Sequence, residues 1–396
     1  MTVVLKDLKP LQAEIPFLKT WLETSALPLW LESGCRLSDG IFYERIGQDG
    51  APMSGDNRRS RVPPRQIYCL TAGGARGLGG PWREAARAGM EAFDRIYLRS
   101  DGLYGALSNA EGALIDPSFD LYNQAFALFS FAQYANSFPA EADAFETKAV
   151  ELLDRLEATY KHPIAGFEED NPVKLPLCSN PHMHLFEAAL AWEVQAKDKT
   201  RWSTLADEIA HMAMDRFIDP VSGGLREFFD QDWKPHPSEK GRIMEPGHQF
   251  EWAWLLDRWG DLRKSSKANS KAQRLFEIGL RHGMSPDGKV AIMSLYDDFS
   301  VHDPIARMWP QTEWLKAATK LALVTDGKAR IQYIDAAVHA ARAFRLFLET
   351  PIKGLWYDKR RPDGTFIDEP APASTFYHIL CAVYEAEDNL NALKAV

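Results

Sequence analysis

Three histidines lie in segments whose neighbours suit acid–base chemistry. His248 is followed three residues later by Glu251, which a helix places on the same face. A carboxylate beside an imidazole fixes its tautomer and raises its basicity, so this pair predicts a general base with a pKa near working pH. An exposed capping pair is the alternative. His184 follows Asn180 by four residues and is either a cleft residue or a satisfied structural histidine, and His378 completes the set.

The segment His182-Met183-His184, with Glu187 close behind, has the residue types of a metal site. On a helix, however, positions two apart point in different directions, so the two imidazoles do not converge on one ion. The sequence has no second close cluster of His and Cys. We therefore predict no metal and no other cofactor.

Each of these histidines lies near the start of a segment with helical apolar periodicity. Asn180 is a good N-cap, and Pro181 suits the first position of a helix. Pro246 and Gly247 likewise precede the amphipathic run that carries His248. Helix starts that face one cleft favour developing negative charge there, because the positive ends of the helix dipoles point into it.

Short glycine turns followed by apolar or aromatic residues recur along the chain. Their glycines stand at positions 40, 102, 166, 224, 288 and 354, separated by 62, 64, 58, 64 and 66 residues. Glycine suits such turns because they often require a positive φ, and the residues that follow are typical of short strands. This nearly constant period indicates six structural repeats.

The stretches between the turns have helical periodicity and leave room for two helices in each repeat. The predicted helices cover 10–31, 64–73, 82–97, 119–136, 141–160, 180–196, 199–216, 246–258, 268–283, 304–323, 328–349 and 374–388. We therefore predict an all-α fold, an (α/α)6 barrel of six helical hairpins with short β-hairpins in the loops, as one domain over 1–396. An open helical solenoid of the same repeats is the alternative.

Composition and charge limit the partners. The 396 residues include 46 Lys and Arg against 55 Asp and Glu, which gives a net charge of −9 and a pI of about 5.7. A nucleic-acid binder usually has a basic stripe, and none is present. The one basic run, Arg58-Arg59-Ser60-Arg61 with Arg65 close behind, is either a solvated loop or the source of an arginine that reaches an anionic or hydroxyl-rich ligand.

Apolar runs and cysteines limit the cellular setting. No stretch approaches 18 consecutive apolar residues, and the start has neither the basic region nor the apolar core of a signal peptide. The four cysteines are far apart and form no CxxC pair, which is typical of a reduced compartment. We expect a cytoplasmic monomer or homodimer without nucleic-acid or membrane partners.

Four segments resemble the N-acylglucosamine 2-epimerase superfamily. They are Asn180-Pro181-His182-Met183-His184, Gly247-His248-Gln249-Phe250-Glu251-Trp252, Arg307-Met308-Trp309-Pro310-Gln311-Thr312-Glu313 and Phe376-Tyr377-His378. The resemblance runs from about residue 20 to about residue 385 and is strongest to the D-mannose isomerase branch. It implies an (α/α)6 barrel that needs no metal and takes a monosaccharide substrate.

The resemblance implies a role for each matching residue. His248 and His378 match the two acid–base histidines, and Glu251 matches the carboxylate that orients the first of them. Arg65 matches an arginine that contacts the substrate oxygens near the reacting carbons. The remaining matches are substrate-binding or cleft-lining residues, namely Asn180, His184, Arg242, Trp309 and Glu313. Of these, His184 is expected to help open the sugar ring, and Glu313 either accepts from a sugar hydroxyl or stabilises its helix.

The implied reaction is the reversible conversion of D-mannose to D-fructose, with D-lyxose and D-xylulose as smaller analogues. A histidine removes the C2 proton of the opened aldose, and Arg65 with the helix N-termini stabilises the cis-enediolate. Returning the proton to C1 gives the ketose. Returning a proton to C2 from the opposite face gives the epimer, so a sugar 2-epimerase (mannose/glucose, N-acylglucosamine or cellobiose type) is the alternative.

Two further classes of protein share features of this sequence. A glycoside hydrolase or lyase on the same barrel would draw its carboxylates from Asp120, Glu251 and Glu313, which would leave the histidines without a role. A non-catalytic sugar-binding module would use the cleft without exchanging the C2 proton.

Overall fold

The computed structural model describes residues 8–395, in which twelve long helices follow one another. Two contain a π-helical segment: α1 covers 9–32 and includes Leu22–Ala26, and α7 covers 200–217 and ends with Ala213–Phe217. The others are α2 (Val62–Ala75), α3 (Trp82–Tyr97), α4 (Leu121–Ser137), α5 (Ala142–Tyr160), α6 (Ser179–Gln195), α8 (Pro246–Arg263), α9 (Ser266–His282), α10 (Met308–Val324), α11 (Gly327–Leu346) and α12 (Ala373–Ala395). Each predicted helix corresponds to one of these.

The even-numbered helices form an inner ring, and the odd-numbered helices surround it. Each inner helix packs against its neighbours in the order α2, α4, α6, α8, α10, α12, and α12 returns to α2. Each outer helix packs against the inner helix that precedes it, and α1 packs against α12. The ring is therefore closed, which confirms the predicted (α/α)6 barrel and excludes the open solenoid.

Burial explains why the two layers differ in sequence. The outer helix α3 is amphipathic, with Ala85, Met90 and Phe93 buried and Glu84 and Glu91 exposed. In the inner helix α10, by contrast, every residue over 308–319 is buried. Burying a polar side chain in such a helix costs folding free energy unless the side chain is paired. Polar side chains that point to the barrel axis therefore indicate a functional site. Within residues 8–395, none of the helices combines the length and apolar content that crossing a membrane requires.

Short strands connect the starts of the inner helices at one end of the barrel. Over the described range they form six small sheets: β1 (Cys35–Arg36) with β2 (Ile41–Phe42); β3 (Arg45–Ile46) with β14 (Ala371–Pro372); β4 (Arg58–Arg59), β5 (Leu107–Ser108) and β6 (Leu114–Asp116); β7 (Leu177–Cys178) with β8 (Phe228–Phe229); β9 (Ile243–Met244), β10 (Ser294–Tyr296) and β11 (Val301–Asp303); and β12 (Ala306–Arg307) with β13 (Lys359–Arg360). The strand before an inner helix pairs, antiparallel, with the loop after the next outer helix. Ala371 of β14 pairs with Ile46 of β3, which joins the last repeat to the first and completes the ring of small sheets.

Each predicted glycine turn follows an outer helix. At Gly40, φ is +73° and a Cβ would lie 1.9 Å from the carbonyl oxygen of Ala88, so the position admits no side chain. One position differs from the prediction. The left-handed residue of the fourth turn is Gly223 (φ +77°) rather than Gly224, which instead packs closely against Met244.

Candidate active site

A cavity of about 220 Å³ lies at the end of the barrel where the inner helices begin. The first two turns of these helices and the strands before them supply its walls. Every predicted site residue lines it except Glu313, which lies behind His378, and Arg242. The lining consists of Arg59, Arg61, Arg65, Tyr122, Asn180, His184, Glu245, His248, Glu251, Met293, Arg307, Trp309, Ser374, Thr375 and His378.

His248 is held by two carboxylates, and neither belongs to Glu251. Its Nδ1 lies 3.0 Å from Oε2 of Glu227 and 3.7 Å from Oε2 of Glu245. Burial disfavours the charged imidazole, but these two carboxylates outweigh burial and raise the pKa of His248 to about 10. His248 is therefore an imidazolium at neutral pH. The predicted pairing with Glu251 is wrong, because Nδ1 of the imidazole faces Glu227 from a loop and Glu245 at the start of its own helix.

Glu251 is a buried acid rather than the partner of His248. Neither of its carboxyl oxygens has a hydrogen-bond partner within residues 8–395, and Oε1 lies 3.9 Å from Nδ1 of His184. Burial, reinforced by the negative charge of Glu313, raises the pKa of Glu251 well above its usual range. Glu251 is therefore neutral and keeps its proton beside the cavity.

His378 has the opposite electrostatic surroundings. Its Nδ1 lies 2.9 Å from Oε1 of Glu313, and the ammonium of Lys316 lies 2.6 Å from Oε2 of the same carboxylate. Burial, together with the positive charges of Arg65 and Lys316, lowers the pKa of His378 well below its usual range. A neutral ring that donates its Nδ1–H to Glu313 presents a basic Nε2. Glu313 is thus the acceptor that orients His378, a role that differs from both predicted alternatives.

His184 is also neutral. Its Nδ1 lies 3.4 Å from Oε2 of Glu187, which also accepts the hydroxyl proton of Tyr377. Burial lowers the pKa of His184 to about 3 despite this carboxylate. The ring packs edge-on against Tyr122 and beside Phe126. His184 is therefore fixed in orientation at the cavity wall.

Arg65 supplies a fixed positive charge to the cavity. Its Nη1 donates to the carbonyl of Ser374 at 2.7 Å, and its Nη2 donates to the hydroxyl of Tyr122. The guanidinium carbon lies 3.9 Å from the centre of the Phe126 ring. Its buried Nε has no acceptor in the part of the chain that the structure describes. The predicted arginine of the Arg58–Arg65 run thus lies where it can contact a ligand.

Trp309 and Asn180 complete the polar and aromatic wall. The Trp309 ring lies 5.0 Å from the His248 ring and 5.7 Å from the His378 ring, centre to centre, so it contacts both. Helix α6 begins at Ser179, which places Asn180 in the first turn instead of at the predicted N-cap. Its buried Oδ1 has no hydrogen-bond donor among the described residues and remains available to a ligand.

Arg242 lies away from the cavity, on the exposed hairpin that precedes α8. Its guanidinium donates to Asp297 at 2.9 Å and to Asp298 at 3.0 Å, and it stacks on Tyr296. Both carboxylates lie in the turn that follows β10. Because β9 pairs with β10, the arginine is held on the exposed side of this hairpin. Arg242 therefore does not line the cavity, and its predicted substrate-binding role has no support from this geometry.

Three charged residues that were not predicted from the sequence determine the protonation of the histidines. Glu227 lies in a loop three residues after the fourth glycine turn, far in sequence from His248. Glu245 immediately precedes the Pro246 that begins α8, and its position before a helix start was the available signal. Lys316 follows Glu313 by three residues, which on a helix indicates an ion pair.

Two groups of side chains have the ligand types and spacing of a metal site. They are His184, Glu187 and Glu251, and Glu251, Glu313 and His378, with ligand atoms within 4.8 Å of one another. His184 and Glu187 share α6, and the sequence spacing already placed them together, whereas Glu251, Glu313 and His378 join the groups from three other helices. Lys316 lies 2.6 Å from Glu313 and already supplies the positive charge that these carboxylates need. The groups therefore fit a protein-only charge cluster better than a metal centre.

His182, the other half of the His-x-His pair, has a structural role. Its Nε2 accepts from the backbone N–H of Phe167 at 3.0 Å, and its Nδ1 lies 2.9 Å from the carbonyl oxygen of Cys178. These contacts hold the Gly166 turn against the start of α6. As predicted, His182 points away from His184.

The cavity therefore combines a neutral histidine, a charged histidine and a buried arginine. When their surroundings give two titratable groups of one site very different pKa values, the group with the lower pKa can act as the base and the group with the higher pKa as the acid. Such a set can remove a proton from carbon beside a carbonyl group and stabilise the resulting oxyanion.

Comparisons with known proteins agree with this chemistry. Residues 40–382 match the N-acylglucosamine 2-epimerase (GlcNAc 2-epimerase) family. Over 374 residues the chain is 58% identical to a protein of Rhizobium meliloti (strain 1021) named mannose-6-phosphate isomerase, covering 94% of this chain and 96% of that protein.

Two solved structures share the fold. The cellobiose 2-epimerase from Spirochaeta thermophila DSM 6192 has a TM-score of 0.85 at 20% identity, over 97% of this chain and 98% of that one. A D-mannose isomerase has a TM-score of 0.84 at 19% identity, over 94% and 97%. At these identities the likeness bears on the fold alone. With the family match and the 58% identical relative, however, the assignment is clear: the chain belongs to the N-acylglucosamine 2-epimerase family and is a sugar isomerase.

Proposed function

We propose that the protein interconverts free D-mannose and D-fructose in this cavity, with D-lyxose and D-xylulose as smaller analogues. The observation that carries the proposal is that one cavity holds a neutral His378 and a charged His248. An aldose–ketose isomerisation needs a base for the carbon-bound proton and positive charge for the enediolate oxygen. The names of the 58% identical relative and of the solved D-mannose isomerase support the choice of sugar.

In this proposal His378 is the base. Its Nδ1–H is committed to Glu313, so Nε2 has the lone pair that takes the C2 proton of the open-chain aldose. The C2–H electrons form the C1–C2 double bond, and the carbonyl electrons move to O1, which gives the cis-enediolate. His184, fixed against Tyr122, is placed to move the hydroxyl proton when the sugar ring opens.

Positive charge on the cavity wall stabilises the enediolate. The imidazolium of His248 and the guanidinium of Arg65 both line the cavity, where burial strengthens their attraction for an oxyanion. Return of the proton from His378 to C1 gives the ketose. Because His248 also carries a proton, delivery to C2 from its side gives the 2-epimer as the competing outcome.

A phosphorylated sugar is the second candidate substrate, since three more arginines line the cavity and the 58% identical relative is named for mannose 6-phosphate. Each of these arginines already has a carboxylate partner. The pairs are Arg59 with Glu44, Arg61 with Asp120 and Arg307 with Asp358. A phosphate needs several cationic donors and would compete with these carboxylates, so we favour the free sugar.

NMR of the purified protein with D-mannose in D2O tests the proposal, because it reports fructose, glucose and deuterium at C2 together. The same assay on mannose 6-phosphate, N-acetylmannosamine and cellobiose gives the ranking by kcat/KM. We expect fructose from mannose as the preferred reaction. A tenfold preference for another sugar, about 1.4 kcal/mol of transition-state binding, would overturn the choice of substrate. Binding without C2 exchange would indicate a sugar-binding protein, and cleavage of an oligosaccharide would indicate a hydrolase.

We also infer a reduced, cytoplasmic setting for this activity. All four cysteines are free, and the pKa of each is raised by burial, which keeps the thiols protonated and unreactive. Full activity in the presence of a thiol reductant is the expected result. A loss of activity on reduction would contradict this setting. Light scattering on the purified protein would distinguish a monomer from a homodimer, the two states expected from the sequence.

A further inference from the structure

Glu245 occupies a helix-capping position but does not cap the helix. It is the residue before Pro246, at the start of α8, and its backbone is extended. A side chain at this position usually accepts from the N–H groups of the first turn. The Glu245 carboxyl makes no such bond, and the residue lines the cavity instead.

The Glu245 carboxyl group is accessible from the cavity. About 17% of its side chain is exposed, its Oε2 lies 3.7 Å from Nδ1 of His248, and it accepts no hydrogen bond from any residue over 8–395. The charges that act on it are His248 and Arg307, which favour the carboxylate, and Glu227 and Asp303, which oppose it. A carboxyl group without a hydrogen-bond partner in the protein, open to the cavity, can exchange protons with a bound sugar.

Isomerisation and epimerisation differ in what happens to the hydroxyl protons. In both, the C2 proton leaves and a cis-enediolate forms. In epimerisation a proton returns to C2, O1 becomes a carbonyl again, and O2 keeps its proton. In isomerisation a proton arrives at C1 and the carbonyl forms at C2, so O2 must lose its proton and O1 must gain one. Only isomerisation therefore needs a group that moves a proton from O2 to O1.

We propose that Glu245 is a further catalytic residue, the group that carries the proton from O2 to O1 and thereby directs the enediolate to the ketose. This inference rests on the proposed isomerisation. The carboxylate takes the O2–H proton as the O2 lone pair forms the C2 carbonyl and the C1–C2 double-bond electrons take a proton from His378. It then gives the proton to O1. The carboxylate is regenerated, and no other reactant is consumed.

The arginines and the second carboxyl group on the cavity wall are less suited to this transfer. Arginines do not give up protons. Glu251 is the other lining carboxyl group, but it is fully buried and its raised pKa holds it in the acid form. Burial and the neighbouring carboxylate of Glu227 raise the pKa of Glu245 to about 7, which matches both directions of transfer.

The partition between C2 exchange and ketose formation tests this role. NMR in D2O measures deuterium at C2 of mannose and formation of fructose in one sample. For Glu245→Gln, which keeps the shape but can neither take up nor release a proton near neutral pH, we expect fructose formation to fall at least tenfold relative to C2 exchange, with glucose gained. Glu227→Gln is the matched control. It removes the other carboxylate of His248, so we expect it to slow both processes together and leave their ratio within twofold of wild type.

A second variant tests the proposal if Glu245→Gln folds poorly. In Glu245→Ala, added formate should restore fructose formation without accelerating C2 exchange. Equal loss of both processes in Glu245→Gln, or the same ratio change in Glu227→Gln, would make Glu245 a positioning residue for His248 and overturn the proposal. If the wild-type protein neither exchanges C2 nor forms fructose, the proposed function itself fails.

Discussion

The surroundings of His248 and His378 differ in charge, although the two rings share one cavity and contact the same tryptophan. His248 lies against two carboxylates, and its pKa is raised to about 10. His378 lies near the cations Arg65 and Lys316, and its pKa is lowered. Both rings are buried, so burial alone would make both neutral. The neighbouring charges, rather than the residue type or its depth, therefore make one ring an acid and the other a base.

Removal of either ring is expected to have the largest effect. His378→Ala removes the base and His248→Ala removes the buried cation, so each should lower kcat/KM at least about 100-fold. Circular dichroism should show an intact helical fold in both. His339→Ala, at an exposed histidine on the outer helix α11, is the matched control and should retain wild-type activity. Retention of more than about a tenth of the rate in His248→Ala would remove it from the mechanism.

The positive surroundings of His378 depend on Lys316. Lys316→Met leaves the carboxylate of Glu313 buried without its partner, and removing one member of a buried pair costs about 3–5 kcal/mol of unfolding free energy. Loss of a cation near His378 also raises the pKa of that ring, so the acidic limb of kcat/KM should move to higher pH. Urea unfolding and a pH profile measure the two effects. Lys328→Met, at an exposed position, should change neither.

The negative surroundings of His248 depend on Glu227. Glu227→Gln removes the carboxylate nearest His248 and lowers its pKa, so the alkaline limb of kcat/KM should move down from about pH 10. The charged ring stabilises the folded state fully below its unfolded pKa of about 6.5, and this contribution is lost as pH rises through about 10. The variant should therefore be less stable than wild type at neutral pH, and the difference should narrow above pH 10.

Glu251→Gln is the matched comparison for Glu227→Gln. Because Glu251 is neutral and does not contact Nδ1 of His248, an amide of the same shape should leave the alkaline limb in place. A shift of that limb in Glu251→Gln but not in Glu227→Gln would reverse the assignment of the His248 partner.

The smallest expected effect is that of chelators. Lys316 neutralises the carboxylates that would otherwise hold a cation, so prolonged treatment with EDTA should leave kcat/KM unchanged. Loss of activity that zinc or manganese restores would show that one of the two His–Glu groups binds a metal.

The sequence predicted the helices and their closure better than it predicted the charge cluster. Apolar periodicity locates helices because burial follows it directly, and the glycine spacing gives the repeat. The start of α10 was placed at 304 instead of Met308, because pairing of Ala306 and Arg307 with β13 is a contact between repeats that no local pattern records.

In the site, too, the sequence predicted which residues come together better than it predicted their partners. Motif order brought seven predicted residues to one cavity, since inner-helix starts meet at one end of the barrel. The partner of His248 was misassigned because Glu227 comes from another repeat's loop. Arg242 does not line the cavity, because a nearby position in sequence does not determine which side of a hairpin an arginine occupies. Side-chain pairing across repeats depends on the closed ring, which sequence spacing does not describe.

Closure of the ring by β14 and α12 has a consequence for how the enzyme matures. These elements follow all the others in chain order, pair with β3 near the first repeat and fill the gap between α10 and α2. They also carry His378. During synthesis the earlier hairpins emerge first but remain an open arc until this segment leaves the ribosome, and such long-range closure is slow. The proposed base and the final wall of the barrel therefore belong to one segment, so we expect a chain truncated before β14 to lack activity.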